Sequence, residues 1–266
     1  MTSSGPATAL EPFLDEPAAA ALLFDLDGTL APIVARPDQA RVPDRVRAAL
    51  ARIAGRYALA AVVSGRRAAD ARAIVGLEKL TYVGNHGFEL LLPGAPAARP
   101  APELGDRGGD AAAFAAAIDR SVLDRAGLRF EDKGPIVALH WRGAADEGGA
   151  EAEAERIATD ATGAGLTVHR GRKVLELRPP GAVDKGTAIE SLLMASDLSA
   201  ALYAGDDRTD LDGFAALDRL ADAGRLRVAL RIGVVSAEGP KEIAARADLT
   251  VAGPAELVPM LVALAG

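Results

Sequence analysis

Apolar runs alternate with helical repeats along the first third of the chain. Residues 21–24 form a continuous apolar run that ends in Asp25, which is typical of a buried strand opening into a loop. The alternation continues as helix, strand, helix and strand over residues 43–55, 59–63, 66–75 and 80–83. This pattern predicts a parallel sheet covered by helices on both faces.

The pattern changes near residue 88. Residues 92–109 are rich in Pro, Gly and Ala, which predicts a loop, and residues 110–126 predict an Ala-rich helix. A hairpin, a second helix and a second hairpin are then predicted over residues 128–142, 150–162 and 166–178. A unit of one helix followed by one hairpin thus occurs twice. This repetition predicts a small antiparallel sheet with helices on one face.

Strand and helix alternate again from residue 184 onward. We therefore predict an α/β protein whose Rossmann-like parallel sheet core comprises residues 19–87 and 184–266. An α+β domain is inserted over residues 88–183, and residues 1–18 form a loose tail.

Composition narrows the classes of function. Half of the 266 residues are hydrophobic, as in globular proteins, and the net charge of −7 argues against general affinity for nucleic acid or anionic membranes. There is no Cys and there are three His, which excludes disulfides and thiolate sites and favours an oxygen-bound metal, if any. The N-terminus lacks a basic segment before an apolar run, and no apolar run is long enough to span a bilayer. We expect a cytoplasmic protein, and without coiled-coil repeats we expect a monomer.

Two aspartates follow the first predicted strand, in the sequence Asp25-Leu26-Asp27-Gly28-Thr29. Ligands of open α/β sheets bind beyond the carboxyl ends of the strands. One carboxylate there can attack as a nucleophile while the other shuttles protons. The alternative is a polar loop, since such triplets arise by chance in an acidic chain; the position at a strand end favours function.

Ser64, Gly65 and Arg66 follow the second predicted strand. Ser is a common N-cap, and the first turn of a helix offers free N–H groups to an anion. Taken alone, this segment is better explained by an ordinary cap without a ligand.

Lys185 begins a predicted helix, and Asp206, Asp207 and Asp210 follow the strand at residues 200–204. Three carboxylates within five residues repel one another, and Mg²⁺ with oxygen ligands is the natural compensating charge. The alternative for the acids is a helix start favoured by the helix dipole. Taken alone, Lys185 is better explained as a solvated charge than as a phosphate-binding group.

These four segments occur in the order seen in the haloalkanoic acid dehalogenase-like phosphohydrolases, which the chain resembles. The matching residues are Asp25, Asp27, Thr29, Ser64, Lys185, Asp206, Asp207 and Asp210. In that superfamily, a domain inserted between the second and third segments is a cap domain.

Further motifs resemble the trehalose-6-phosphate phosphatases and extend the resemblance over nearly all of the chain after residue 20. They lie at residues 84–89, 131–134, 137–142 and 171–179. Leu211 departs from the family, which usually has an acid there, so magnesium affinity could be altered. Trp141 stands where Tyr is more usual.

The resemblance implies that a sugar 6-phosphate is hydrolysed with Mg²⁺ through an aspartyl-phosphate on Asp25. Asp27 would act as acid and then base, while Ser64, Thr29 and Lys185 hold the phosphoryl group. The implied metal residues are Asp25, Asp27 through its backbone carbonyl, Asp206, Asp207 and Asp210. The implied substrate-binding residues are Ser64, Gly65, Arg66, Asn85, Glu131, Lys133, Arg142, Lys173 and Glu176.

Other functions remain open from the sequence. Related cap-bearing phosphatases act on sucrose phosphate, on glycosyl-phosphoglycerates or on a broad range of sugar phosphates. Glu131, Lys133 and Glu176 favour a disaccharide, because charged groups bind hydroxyls through charge-assisted hydrogen bonds; the alternative for these three is a solvated sheet face. A non-catalytic regulator that binds sugar phosphates is disfavoured, since every catalytic position is occupied by a competent residue.

Overall fold

The chain forms two compact units. The computed structural model describes residues 6–34, 36–171, 173–181, 183–237 and 239–266. One unit, here called the core unit, comprises Met1–Arg99 and Val183–Gly266, and the other, the insert unit, comprises Pro100–Ala182.

The predicted strands and helices are present in the predicted order, with an additional helix at residues 6–15 and additional strands at residues 89–91 and 99–100. The strands are β1 Ala20–Asp25, β2 Leu59–Val63, β3 Thr81–Gly84, β4 Glu89–Leu91, β5 Arg99–Pro100, β6 Arg129–Asp132, β7 Val137–His140, β8 Thr167–Gly171, β9 Val174–Arg178, β10 Ala200–Gly205, β11 Val228–Val235 and β12 Leu249–Ala252. The α-helices are α1 Pro6–Asp15, α2 Asp44–Arg56, α3 Ala68–Val75, α4 Asp110–Ala116, α5 Arg120–Ala126, α6 Glu147–Gly163, α7 Lys185–Met194, α8 Asp210–Asp222, α9 Lys241–Arg246 and α10 Pro254–Ala265.

The core unit contains an eight-stranded sheet in the order β12-β11-β10-β1-β2-β3-β4-β5. Pairing is parallel from β12 to β3, and β4 is antiparallel to β3. Phe24 pairs with Ala204, and Asp25 pairs with Val63. The carboxyl ends of β1, β2 and β10 are therefore adjacent, and the predicted α/β class is confirmed.

Both faces of β1 are buried, which explains why its sequence is one continuous apolar run. Leu22 and Phe24 pack into one apolar cluster, with residues of α2 and α10. Ala21 and Leu23 pack into a second, with residues of α7 and α8. A strand buried on both faces needs no polar alternation, so periodicity alone cannot show which face each residue takes.

The segment before β1 is a helix rather than a loose tail. Leu10 and Phe13 of α1 are buried in the same cluster as Leu22 and Phe24. The prediction of a loose tail over residues 1–18 is therefore wrong for α1, because two apolar side chains dock it on the core; residues 1–5 lie outside the described residues.

The insert unit holds a four-stranded antiparallel sheet in the order β6-β7-β9-β8, and both predicted hairpins are present. Val137, Leu139, Leu175 and Leu177 bury one face of it among helical side chains. The predicted helix over residues 110–126 is two helices, because Asp119 caps α5 with its side chain.

The boundary of the predicted insertion differs from the compact units. β4, at the start of the predicted insertion, belongs to the sheet of the core unit. A cap role for residues 88–183 stays a prediction. Among the described residues, no helix is both long and apolar enough to cross a membrane; a cytoplasmic location and a monomeric state stay predictions.

Candidate active site

The ends of neighbouring strands bring the predicted core residues together. Asp25 ends β1, Ser64 follows β2, and Asp206 follows β10, while Lys185 and Asp210 begin α7 and α8. All five residues are buried. Buried polar side chains require partners, and the site supplies them.

Lys185 lies at the centre of this group. Its Nζ donates to Asp25 Oδ1 and to Asp210 Oδ1, at 2.6 Å in each case. Only 3% of its side chain is exposed. Asp184 caps α7 through a capping box with Thr187, which fixes the helix start and with it the root of the Lys185 side chain.

Asp210 accepts hydrogen bonds at both of its oxygens. Oδ1 accepts from Lys185 and from the hydroxyl of Tyr203, and Oδ2 accepts from the N–H groups of Asp206 and Asp207 at 2.9 and 3.0 Å. A carboxylate engaged in this way orders the loop and orients Lys185. We interpret Asp210 as a residue that supports the site through these contacts.

Asp206 faces the loop that follows β1. Its Oδ1 accepts from Thr29 Oγ1 at 3.2 Å. Gly28 has a φ of +90°, and a Cβ added there would lie 2.1 Å from Asp206 Oδ2. The Asp-Gly-Thr sequence therefore needs glycine for both its backbone conformation and its close approach to a carboxylate.

Burial and mutual repulsion disfavour the ionised forms of the carboxyl groups in this cluster. Burial raises the pKa of Asp25 well above its ordinary range, partly offset by Lys185 and reinforced by Asp210. Burial and Asp210 raise the pKa of Asp206 to about 6. Burial opposes the charge of Lys185, but Asp25 and Asp210 outweigh it and raise the pKa of Lys185 above its usual value. Perturbed groups that cluster in this way are typical of functional sites.

Three carboxylates are arranged so that they could share a cation. Oxygens of Asp25, Asp206 and Asp210 lie within 4.8 Å of one another. Asp207 is exposed and its Oδ1 accepts from the N–H of Arg208 at 2.7 Å, so its predicted role as a metal residue has no support in this geometry. The Asp27 side chain is likewise outside the group; the prediction for Asp27 concerned its backbone carbonyl.

The loop after β2 approaches Asp27. Arg66 donates from Nε and a terminal nitrogen to the two Asp27 carboxylate oxygens, at 2.6 and 2.7 Å. Asn85 is buried, and its N–H donates to the carbonyl of Arg66 at 2.7 Å. Gly65 and Asn85 therefore lie beside the Arg66 backbone, in the region where substrate binding was predicted.

A second polar cluster lies on the insert unit, on the sheet face opposite its apolar core. Lys133 Nζ donates to Glu176 Oε1 at 2.9 Å, and Arg178 also donates to Glu176, at 2.6 and 3.1 Å. Glu131 pairs instead with His140 Nε2, at 2.6 Å. Burial alone would raise the pKa of Glu176, but Lys133 and Arg178 outweigh it and lower that pKa to about 2.

Register places this second cluster on one face. Glu131 is opposite Ala138, which is opposite Glu176, and directly paired residues of an antiparallel sheet point to the same side. We call Glu131, Lys133, His140, Glu176 and Arg178 the polar sheet face.

Arg142 and Lys173 form a separate group around Glu147. Lys173 donates to Glu147. This hydrogen bond and one from Gly143 lower the pKa of Glu147, and Arg142 adds a smaller contribution. Arg172, in the motif at residues 171–179, lies outside the described residues.

Sequence reasoning missed three residues that complete these clusters. Arg178 lies two positions from Glu176 and so on the same strand face, a signal that was available. His140 and Tyr203 carried no such signal, because their partners depend on strand register and on the path of the chain into α8. Leu211 packs against the second apolar cluster of the core unit, the one that contains Ala21 and Leu23.

Comparison with known proteins gives consistent matches. The family model for trehalose-phosphatase matches residues 23–252. An uncharacterized glycosyl hydrolase of Mycobacterium tuberculosis is 38% identical over 206 residues, covering 74% of this chain and 15% of that protein. A probable trehalose-phosphate phosphatase of Oryza sativa is 35% identical, covering 74% of this chain and 59% of the relative.

Solved structures agree with the sequence matches. A structure of Aspergillus fumigatus trehalose-6-phosphate phosphatase is 25% identical and has a TM-score of 0.66, covering 99% of this chain and 98% of that one. The chain spans less than two thirds of the length of the two relatives described above.

Proposed function

The chain belongs to the trehalose-phosphatase family, and from this membership and the site geometry we propose that it is a Mg²⁺-dependent phosphatase of trehalose 6-phosphate. The observation that carries the proposal is the Lys185 ammonium held between Asp25 and Asp210 at 2.6 Å, beside Asp206. A nucleophilic carboxylate, a cation and further acids at one sheet edge are what phosphoryl transfer needs.

In the first step, an Asp25 oxygen attacks phosphorus as the bond to the sugar oxygen breaks, and Asp27 gives that oxygen a proton. In the second step, Asp27 takes a proton from water, whose oxygen bonds to phosphorus as the Asp25–phosphorus bond breaks. The phosphoryl group leaves as phosphate, and both aspartates return to their starting states. Lys185 stabilises negative charge near the transferred group throughout.

The family implies a divalent metal, and the residues present fit one. Asp25, Asp206 and Asp210 supply hard oxygen donors, and in their ionised forms these three carboxylates exceed the single positive charge of Lys185 by two. Mg²⁺ suits carboxylate oxygens. When bound, it would neutralise charge on the phosphoryl oxygens.

We further propose that the polar sheet face recognises the sugar. Trehalose presents many hydroxyls, which carboxylates and ammonium groups bind through charge-assisted hydrogen bonds. Glu131, Lys133 and Glu176 are partly buried rather than fully solvated, which supports binding over a merely solvated face. A broad-range sugar phosphatase is the alternative that the core residues alone allow, because they act only on the phosphoryl group.

Phosphate release tests this proposal directly. We expect turnover of trehalose 6-phosphate with Mg²⁺, loss of turnover in chelator, and much slower turnover of glucose 6-phosphate and sucrose 6-phosphate. Equal turnover of all three esters would favour the broad-range alternative. Binding of trehalose 6-phosphate without turnover would favour the regulator.

Asp25→Asn provides the matched variant. The amide has nearly the same shape but cannot attack phosphorus, so we expect turnover to fall by at least about 10³-fold. Circular dichroism and the unfolding temperature check that the variant is folded. A folded variant that keeps its turnover would contradict the assigned nucleophile.

A further inference from the structure

The arginine that follows Gly65 reaches the proposed acid–base residue. Nε and a terminal nitrogen of Arg66 donate to the two oxygens of Asp27 at 2.6 and 2.7 Å. The side chains are 21% and 35% exposed, so the pair is partly shielded from water. Two parallel hydrogen bonds fix the plane of a carboxylate as well as its position.

The Arg66 backbone is held in place independently of its side chain. Its N–H donates to Ser64 Oγ at 3.1 Å, and its carbonyl accepts from the N–H of Asn85 at 2.7 Å. The N–H of His86 donates to the Ser64 carbonyl at 3.0 Å. The loop after β2 is thus hydrogen-bonded to the segment after β3, and the guanidinium projects from a fixed base.

The segment that supports this loop is strained. Asn85 and His86 have φ values of 50° and 58°, a left-handed conformation that costs free energy in non-glycine residues and persists where the surroundings impose it. A Cβ added to Gly65 would lie 2.5 Å from the His86 ring. Close packing and strain together indicate that this loop is built to hold Arg66 in one position.

The geometry points to Arg66 as a positioning residue that aims the Asp27 carboxyl group. This inference rests on the proposed function, in which Asp27 serves first the leaving sugar oxygen and then a water molecule. A group that must act on two different oxygen atoms gains from a fixed orientation, since proton transfer requires hydrogen-bond geometry. This inference differs from the prediction that Arg66 binds substrate, because the effect of Arg66 passes through Asp27.

Two aryl phosphates of similar size test the inference. The 4-nitrophenolate group leaves without needing a proton, whereas phenolate is a poorer leaving group and benefits from one. We expect Arg66→Ala to lower kcat/KM roughly 10- to 100-fold for phenyl phosphate and at most about threefold for 4-nitrophenyl phosphate. Because both esters are measured on the same sample, their ratio does not depend on how much protein is folded.

Two further variants sharpen the test. Arg66→Lys keeps one charged donor and should restore part of the loss for phenyl phosphate. Adding Arg66→Ala to Asp27→Asn should change the ratio little, because both substitutions remove the same contribution. Arg67→Ala removes the same charge one residue away, where the side chain faces Glu89, and should leave the ratio unchanged.

The outcomes separate this inference from the proposed function. Equal losses for the two aryl esters in Arg66→Ala would show that Arg66 binds the phosphoryl group and would overturn the inference. If the unaltered protein hydrolyses aryl esters but not trehalose 6-phosphate, the proposed substrate fails while the ratio test still decides the role of Arg66. A protein that hydrolyses none of these esters would overturn both.

Discussion

Lys185 of the core unit and Lys133 of the insert unit are both paired with carboxylates, and their surroundings differ. Lys185 of the core unit is 3% exposed and lies 2.6 Å from both Asp25 and Asp210. Lys133 of the insert unit is 20% exposed and lies 2.9 Å from Glu176. The two lysines therefore differ in how deeply they are buried, and burial affects what each cluster can bind.

Charge balance is the more informative difference. In the core unit, one ammonium faces three carboxylates, from Asp25, Asp206 and Asp210. On the polar sheet face, the hydrogen-bonded groups include two cations, Lys133 and Arg178, which both donate to Glu176, and a second carboxylate, Glu131, which pairs with His140. The first cluster is short of positive charge and suits a metal ion with an anionic substrate group; the second is balanced and suits an uncharged, hydroxyl-rich group.

The largest effect should follow removal of the buried lysine. Lys185→Met leaves Asp25 and Asp210 buried without their cation, so we expect the free energy of unfolding to fall by about 3–5 kcal/mol in chelator. Urea denaturation measures this change.

Lys133→Met is the matched substitution in the other unit. Lys133 is more exposed and Glu176 keeps Arg178 as a partner, so a loss of about 1 kcal/mol or less is expected. Equal losses for the two variants would show that burial depth does not distinguish the clusters.

A smaller effect, on substrate affinity, should separate the two lysines by function. Lys133→Met should raise KM for trehalose 6-phosphate about tenfold, since a hydrogen bond from a charged group contributes roughly 1.5–3 kcal/mol. Turnover of phenyl phosphate, which has no sugar, should stay unchanged. Steady-state kinetics with both esters make the measurement.

Arg170→Ala is the control for that affinity change. Arg170 lies on β8 opposite Leu175, on the other face of the sheet, and pairs with Glu155. Its removal should leave KM unchanged. A similar rise in KM for both variants would contradict sugar binding by the polar sheet face.

The stability of the insert unit should also depend on pH. The pKa of Glu176 is lowered to about 2 from 4.5, so its ion pairs stabilise the fold fully above about pH 5 and lose that contribution as the pH falls toward 2. The stability difference between the unaltered protein and Glu176→Gln should be about 2 kcal/mol at pH 6 and less than half of that at pH 3.

Lys133→Met sharpens the pH prediction. Lys133→Met removes one of the two cations that lower the pKa of Glu176. In that variant, Glu176→Gln should therefore lower the free energy of unfolding by less at pH 6. Urea denaturation between pH 3 and pH 6 gives both values. A difference that does not change with pH would contradict the ionic account of this face.

Sequence patterns predicted the sheet and the residues at its carboxyl edge, because buried strands and the polar residues that end them are local features. Asp25, Lys185 and Asp206 could therefore be placed together before their distances were known. The docking of Phe13 depends on packing between distant segments, and the partners of His140 and Arg66 depend on register and loop path. Periodicity along one segment carries no such information.

We propose that Asp25 forms a covalent bond to phosphorus, and rapid acid quenching can detect that bond. Unaltered protein would be mixed with Mg²⁺ and ³²P-labelled trehalose 6-phosphate, quenched within the first turnover, digested and mapped by mass spectrometry. We expect label on Asp25, in the peptide that contains it, and none in Asp25→Asn. Phosphate release with label on another residue, or with none on the protein at any quench time, would contradict it.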